Sequence, residues 1–265
     1  ERQKLLEDFT FIADCNIGGE FLSDDKQQRL KEIAERRWMR HFNDRLGLSE
    51  DELERFGEMP EAALPVEEKL LDDKPHQIIP RVDFDEESYK AQGFKLDVPE
   101  HLYNRGELYN LSISRGTLTN EERFKINEHI IMTIRMLEQL PLPDHLKRVP
   151  EYAGTHHETL IGTGYPRKLT KDELSLHARI MVLADIFEAL TACDRPYKKA
   201  KKLSESIKIM GFMCQDAHID ADVFKLFLKS GVYLEYAHKF MKPEQIDEVD
   251  IEQYMNCEKK DVIDK

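Results

Sequence analysis

Apolar residues recur along most of this chain at three- and four-residue intervals, the period of a helix with one buried face. Residues 24 to 46 carry Leu30, Ile33, Ala34 and Trp38 at that spacing, which predicts a helix. Ser49 followed by Glu52 is a capping-box pattern and predicts another helix start. Thr119 with Glu122 repeats it ahead of Phe124, Ile126, Ile130, Ile134 and Leu137, the expected buried face of a helix that Pro141 stops. From about Lys171 to Thr191, Leu174, Ala178, Met181, Val182, Phe187 and Leu190 mark a further helix. Residues 202 to 215, 220 to 230 and 243 to 257 also read as helical, and no run alternates as a strand would. The pattern predicts an all-α bundle.

Turn-forming residues interrupt this pattern most densely between 57 and 97, where the chain becomes acidic and Pro-punctuated. That stretch predicts an excursion between an N-terminal helical segment, 1 to 56, and a core, 98 to 265. Near the C-terminus Phe224, Phe227, Tyr233, Tyr236 and Phe240 follow near-helical spacing. Packing against the bundle is the expectation, with a partner-binding face as the alternative.

With 265 residues, 40% of them hydrophobic, the chain can bury a substantial core. Its formal net charge of -13 repels a phosphate backbone at long range, which excludes general DNA binding. A phosphate-bearing ligand must therefore meet a local positive cluster. Cysteines at 15, 193, 214 and 257 have no paired spacing, so neither a disulfide framework nor a thiolate zinc site is expected, and a cytoplasmic location is. No apolar run approaches the roughly 20 residues that span a bilayer, so no membrane segment is expected. The opening ERQKLLEDF suggests the output domain of a longer sensor protein, with a polar leading helix as a candidate homodimerisation element and signalling proteins as candidate partners.

Chemistry concentrates in the second half. His156-His157-Glu158 is followed after three residues by Gly162-Thr163-Gly164-Tyr165-Pro166. Adjacent neutral imidazoles can ligate one iron, manganese or zinc ion when the backbone turns between them, although most histidines ligate nothing. His129 lies in the helix upstream. Asp185 interrupts the apolar run IMVLADIFEAL, where a carboxylate is costly without a cation or hydrogen bonds. In Asp194-Arg195-Pro196-Tyr197-Lys198-Lys199, Arg195 could grip a phosphate bidentately and Lys198 as a point charge.

The series HHExxxGTGYP, ADIFEALTA and DRPYKKA, in this order over roughly residues 98 to 215, resembles the HD-GYP family of the HD-domain metal-dependent phosphohydrolases. The resemblance implies an HD-domain-like helical bundle, a divalent centre of two or three iron or manganese ions, of which this divergent chain is expected to hold one to two, and hydrolysis of cyclic di-GMP or a related cyclic dinucleotide. It implies His129, His156, His157 and Asp185 as metal ligands, and Gly164, Tyr165, Pro166, Arg195 and Lys198 as substrate-binding residues. Asp185 and Lys95 are the implied catalytic residues, Lys95 answering to the lysine that follows the family's His-Asp dipeptide. That dipeptide is absent: counting back from Val98-Pro99, Ala91-Gln92 stands in its place. Ile161 replaces the aspartate of the family's DGTGYP stretch. Either His41, Asp44, Glu20 or His101 supplies the missing ligand and a multi-ion site is kept, or one ion sits on His129, His156 and His157, with or without Asp185, or the chain is a catalytically degenerate cyclic-dinucleotide sensor or interaction module.

Overall fold

The computed structural model describes residues 1 to 192 and 201 to 257, and within them the fold is all-α, with two small two-stranded sheets. The described chain forms two compact units, residues 1 to 85 with 97 to 126, and residues 86 to 96 with 127 onward. No helix among the described residues is long and apolar enough to cross a membrane.

In the first unit, α1 (Arg2–Ile17) and α2 (Asp24–Ala34) are joined by ion pairs from Arg29 and Arg36 to the buried Asp8, and α2 buries Leu30, Ile33 and Ala34. The helix predicted to reach residue 46 ends at Ala34. Arg37–Arg40 instead forms strand β1, antiparallel to β2 (Val66–Lys69), so Trp38 lies on a strand and is 39% exposed. Charge explains the switch: Arg37 pairs with Glu67 at 3.1 Å, and the buried Arg40 donates Nε to Glu68 at 2.9 Å, tying the basic run to the acidic stretch. Ser49 and Glu52 form their capping box at α3 (Glu50–Glu54). A second pair, β3 (Ile78–Pro80) with β4 (His101–Asn104), precedes α5 (Glu107–Leu111), whose first turn donates Leu108 N to Asp73 Oδ1 at 3.0 Å. The acidic excursion is thus ordered by pairing that a strand-free reading of the pattern misses.

The second unit contains α4 (Glu86–Ala91), α7 (Val149–Gly154), α8 (Leu176–Thr191), α9 (Leu203–Gln215), α10 (Ala221–Lys229) and α11 (Val232–Phe240). Between α5 and α7 runs α6 (Asn120–Glu138), started by the predicted capping box, with Glu122 N donating to Thr119 Oγ1 at 3.2 Å. On α6 the buried residues include Phe124, Ile130, Ile131 and Ile134, whereas Ile126 is 53% exposed. The core is built from α8 to α11 around the fully buried Phe224, Leu203, Ile207 and Met210, each such side chain contributing about 1.5–3 kcal/mol. Phe187 meets Phe227 and Tyr236 edge-on at 5.0 and 5.2 Å, so most of the C-terminal aromatics do pack inward, while Phe240 is exposed. Buried Asp220 caps α10 and ion-pairs with Arg179 of α8.

The helix expected over 243 to 257 is instead two single 3-10 turns, Pro243–Gln245 and Ile251–Tyr254. Their side chains staple rather than pack periodically. Buried Gln245 donates Nε2 to the carbonyls of Thr191 at 3.1 Å and Lys201 at 3.0 Å, and Asp247 accepts from Ser204 N and Oγ at 2.9 and 2.7 Å.

Candidate metal centre

The three histidines meet because of close backbone approach. Gly154 ends α7 against α6: a Cβ there would lie 2.5 Å from Ile134 Cγ1, so only glycine lets the helices draw this near. The turn that follows, closed by Glu158 N donating to Thr155 O at 2.9 Å, delivers His156 and His157 to His129. One ligand atom from each lies within 4.8 Å of the others, and the ring centroids of His156 and His157 are 4.2 Å apart. Among the described residues no other His, Cys, Asp or Glu group meets this test, and His41, Asp44, Glu20 and His101 belong to the first unit while the cluster belongs to the second. Asp44 is instead paired with Arg40 at 3.3 Å.

The protonation pattern suits ligation. His156 Nδ1 lies 2.8 Å from Ala153 O, and since a carbonyl only accepts, Nδ1 carries a proton there, which makes Nε2 the nitrogen available to a metal. Burial, reinforced by His156 and His129 and opposed by Asp185, pushes His157 down to about 4, so its imidazole is neutral at pH 7. Three imidazoles converging on one point fit a divalent iron, manganese or zinc ion, with positions left for water.

Tyr165 stacks on His157 with centroids 4.7 Å apart, and its amide donates to His157 O at 3.1 Å. Burial and the charge of Asp185 push the Tyr165 phenol up to about 12. Half-buried on α8, Asp185 acts on both His157 and Tyr165, though it is not among the atoms gathered within 4.8 Å. Pro166 O accepts from Lys95 N at 2.7 Å, which ties the GTGYP loop to the segment after α4; the Lys95 side chain is exposed and bears on Glu158 and Glu173 electrostatically. Arg195 and Lys198 lie outside the described residues.

Glu158 has the role that the sequence does not announce. It is 0% exposed, accepts from Arg167 N at 2.7 Å and Leu169 N at 2.9 Å, and so shapes the loop from inside. Burial pushes its carboxyl up against the pull of those N–H groups. The one legible signal was its position directly after the histidine pair. Gly164 is equally confined, because a Cβ would lie 2.5 Å from Glu158 Cα and 2.6 Å from His157 O, both backbone atoms. Gly164→Ala is expected to destabilise the protein by about 1–3 kcal/mol and to displace Tyr165 from His157. A denaturation midpoint and tyrosine fluorescence unchanged from the parent would contradict this.

Gln92, standing where the family's aspartate is expected, is committed elsewhere. Its Oε1 accepts from Arg135 Nε at 2.9 Å, and its Nε2 donates to Ser88 Oγ at 2.9 Å. A neutral amide so engaged does not fit the role of a carboxylate bridging a second ion.

The HD domain family model matches residues 65 to 223. Among curated proteins, the 3'3'-cGAMP-specific phosphodiesterase 3 of Vibrio cholerae is 38% identical over 115 residues, which is 43% of this chain and 24% of that protein. A cyclic di-GMP phosphodiesterase of Pseudomonas aeruginosa is 34% identical over 140 residues, 52% of this chain and 30% of that protein. A cyclic di-GMP phosphodiesterase of Thermotoga maritima is 38% identical over 93 residues, 35% of this chain and 25% of that protein. The chain thus spans about a quarter to a third of the length of these relatives. A family match covering more than half of the 265 residues, over a helical core that gathers three histidines beside a GTGYP loop, makes this chain a member of the HD domain family, of the HD-GYP type.

Proposed function

We propose that this chain is a metal-dependent phosphodiesterase that hydrolyses a cyclic dinucleotide, cyclic di-GMP or a relative, in second-messenger signalling. The convergence of His129, His156 and His157 carries the reading, and the names of the relatives supply its substrate class. Iron or manganese would be held by these histidines, with Asp185 completing the set, and would supply Lewis-acid activation of water and of the phosphoryl oxygen. The engagement of Gln92 with Arg135 favours one ion over two.

The chain's own contribution is placement and charge. His156 is held in the tautomer that offers Nε2. Tyr165 walls the His157 side of the site and excludes water there. Arg195 and Lys198 bind the non-bridging phosphate oxygens, and Lys95 offsets the negative charge that grows as the diester breaks. Arg195→Ala should weaken cyclic di-GMP binding by about 10- to 150-fold, the loss of one desolvated charge-assisted contact of about 1.5–3 kcal/mol. Titration curves that superimpose on the parent's would remove Arg195 from the site.

Anaerobic turnover of cyclic di-GMP by the Fe- or Mn-loaded chain, with Asp185→Ala alongside, tests the activity. Turnover that the variant loses supports the enzyme. Binding without turnover favours the second reading, a cyclic-dinucleotide sensor, for which the absent carboxylate at Gln92 is the specific argument.

A homodimer is part of the same proposal. Leu5, Leu6, Phe9 and Ile17 are 47–79% exposed along one stripe of α1. An antiparallel contact between two α1 helices centred on Phe9 would bury this stripe against its own copy. Phe9→Glu should shift the light-scattering mass from two chains to one; a monomeric parent would rule the contact out.

A further inference from the structure

Spacing along the sequence pairs no cysteines, yet the fold brings two together. Cys214 lies in the last turn of α9 and Cys257 just beyond the 3-10 turn Ile251–Tyr254, 43 residues on. Each residue is 3% exposed. Cys214 Sγ lies 2.6 Å from Cys257 Sγ and 2.8 Å from the Cys257 carbonyl oxygen, either of which can accept its single S–H, so the two sulfur atoms are in contact. Packing holds them there. Tyr254 lies flat against the bare α-carbon of Gly211, where a Cβ would come within 2.7 Å of Tyr254 Cδ1, and the same ring meets Phe224 edge-on at 6.3 Å. One turn of α9 therefore presents both the seat for Tyr254 and the sulfur for Cys257.

We propose that Cys214 and Cys257 are a disulfide-forming pair, oxidised by a low-molecular-weight disulfide such as oxidised glutathione, and that the bond pins residues 251 to 257 to α9. In the first step one cysteine, as thiolate, attacks a glutathione disulfide sulfur; the glutathione S–S bond breaks and one glutathione thiolate leaves. The second cysteine, as thiolate, then attacks the protein sulfur of the mixed disulfide and expels the other glutathione. Two protein thiols become one disulfide, one glutathione disulfide becomes two thiols, and the two protons pass from protein to glutathione.

Burial pushes the Cys214 thiol far up, so the closed pair is unreactive and the first attack waits on local opening of the C-terminal segment. Once formed, the bond closes a loop that contains Gln245 and Asp247, the side chains that tie this segment to Thr191, Lys201 and Ser204. Oxidation thereby secures the C-terminal staple covalently, and reduction returns it to packing and hydrogen bonds.

The whole chain, purified reduced, would be equilibrated with oxidised glutathione and then digested under acid quench for mass mapping. The expected result is a peptide cross-linked between Cys214 and Cys257, with two thiols lost on counting under denaturant and a melting temperature raised by about 5–10 °C that dithiothreitol reverses. Cys257→Ser and the smaller Cys257→Ala, should serine perturb the pocket, would both lack the cross-link and the oxidative shift while melting near the reduced parent. Glutathione adducts on single cysteines without the cross-link would overturn the proposal. So would a pair that stays reduced in buffers that glutathionylate Cys15.

Discussion

Replacing His157 by alanine is expected to strip the metal from the protein and to abolish cyclic di-GMP turnover. His157 is the member of the trio closest to both others, with ring centroids 4.2 Å from His156 and 5.3 Å from His129. Loss of a mere supporting partner weakens metal affinity by about 10- to 100-fold, so loss of a ligand should cost more than about 100-fold. The variant also empties the surface on which Tyr165 stacks, so substrate binding should suffer beyond the loss of chemistry. Elemental analysis after anaerobic purification, run beside the turnover assay, gives both quantities. Stoichiometric metal and parental activity in the variant would end the case for this centre.

The second large effect is structural in origin and functional in outcome. Glu158→Ala is expected to destabilise the protein by about 2–5 kcal/mol, because it leaves the amides of Arg167 and Leu169 without their acceptor and opens a void in a fully buried position. Glu158→Gln should cost less, since the amide oxygen still serves one of the two donors while its NH2 confronts the other. Urea denaturation of the three proteins should therefore rank parent, Gln, Ala. If both variants matched the parent, the loop would be held by something other than this carboxylate, and the close approach of Gly164 to the Glu158 backbone would be the next candidate.

The histidine part of this candidate centre was legible from residue order. The adjacent His156 and His157 are a signal only together with the glycine-rich loop after them, and they do converge with His129, whereas Asp185, conspicuous within an apolar run, is half-buried and not among the gathered atoms. The helices of the second unit were legible too: long amphipathic runs with capping residues leave little choice. Short elements were not. Arg37 to Arg40 has helical neighbours and becomes a strand only because Glu67 and Glu68, some thirty residues away, offer opposite charges across a ladder. The segment from 243 to 257 has an apolar pattern compatible with a helix, but Asp250, Gln245 and Asp247 spend their side chains on backbone groups and hold it in turns. Glu158 and the meeting of Cys214 with Cys257 depend on tertiary approach alone, and no local spacing records them.

Gln245 bears on where this domain can be cut. The family match closes at residue 223, and a fragment ending there would look complete by sequence similarity. It would also lack the amide that joins the carbonyls of Thr191, at the end of α8, and Lys201, just before α9. The smallest stably folded piece of the second unit is therefore expected to be longer than the stretch that family resemblance marks out, and to extend at least through Asp247.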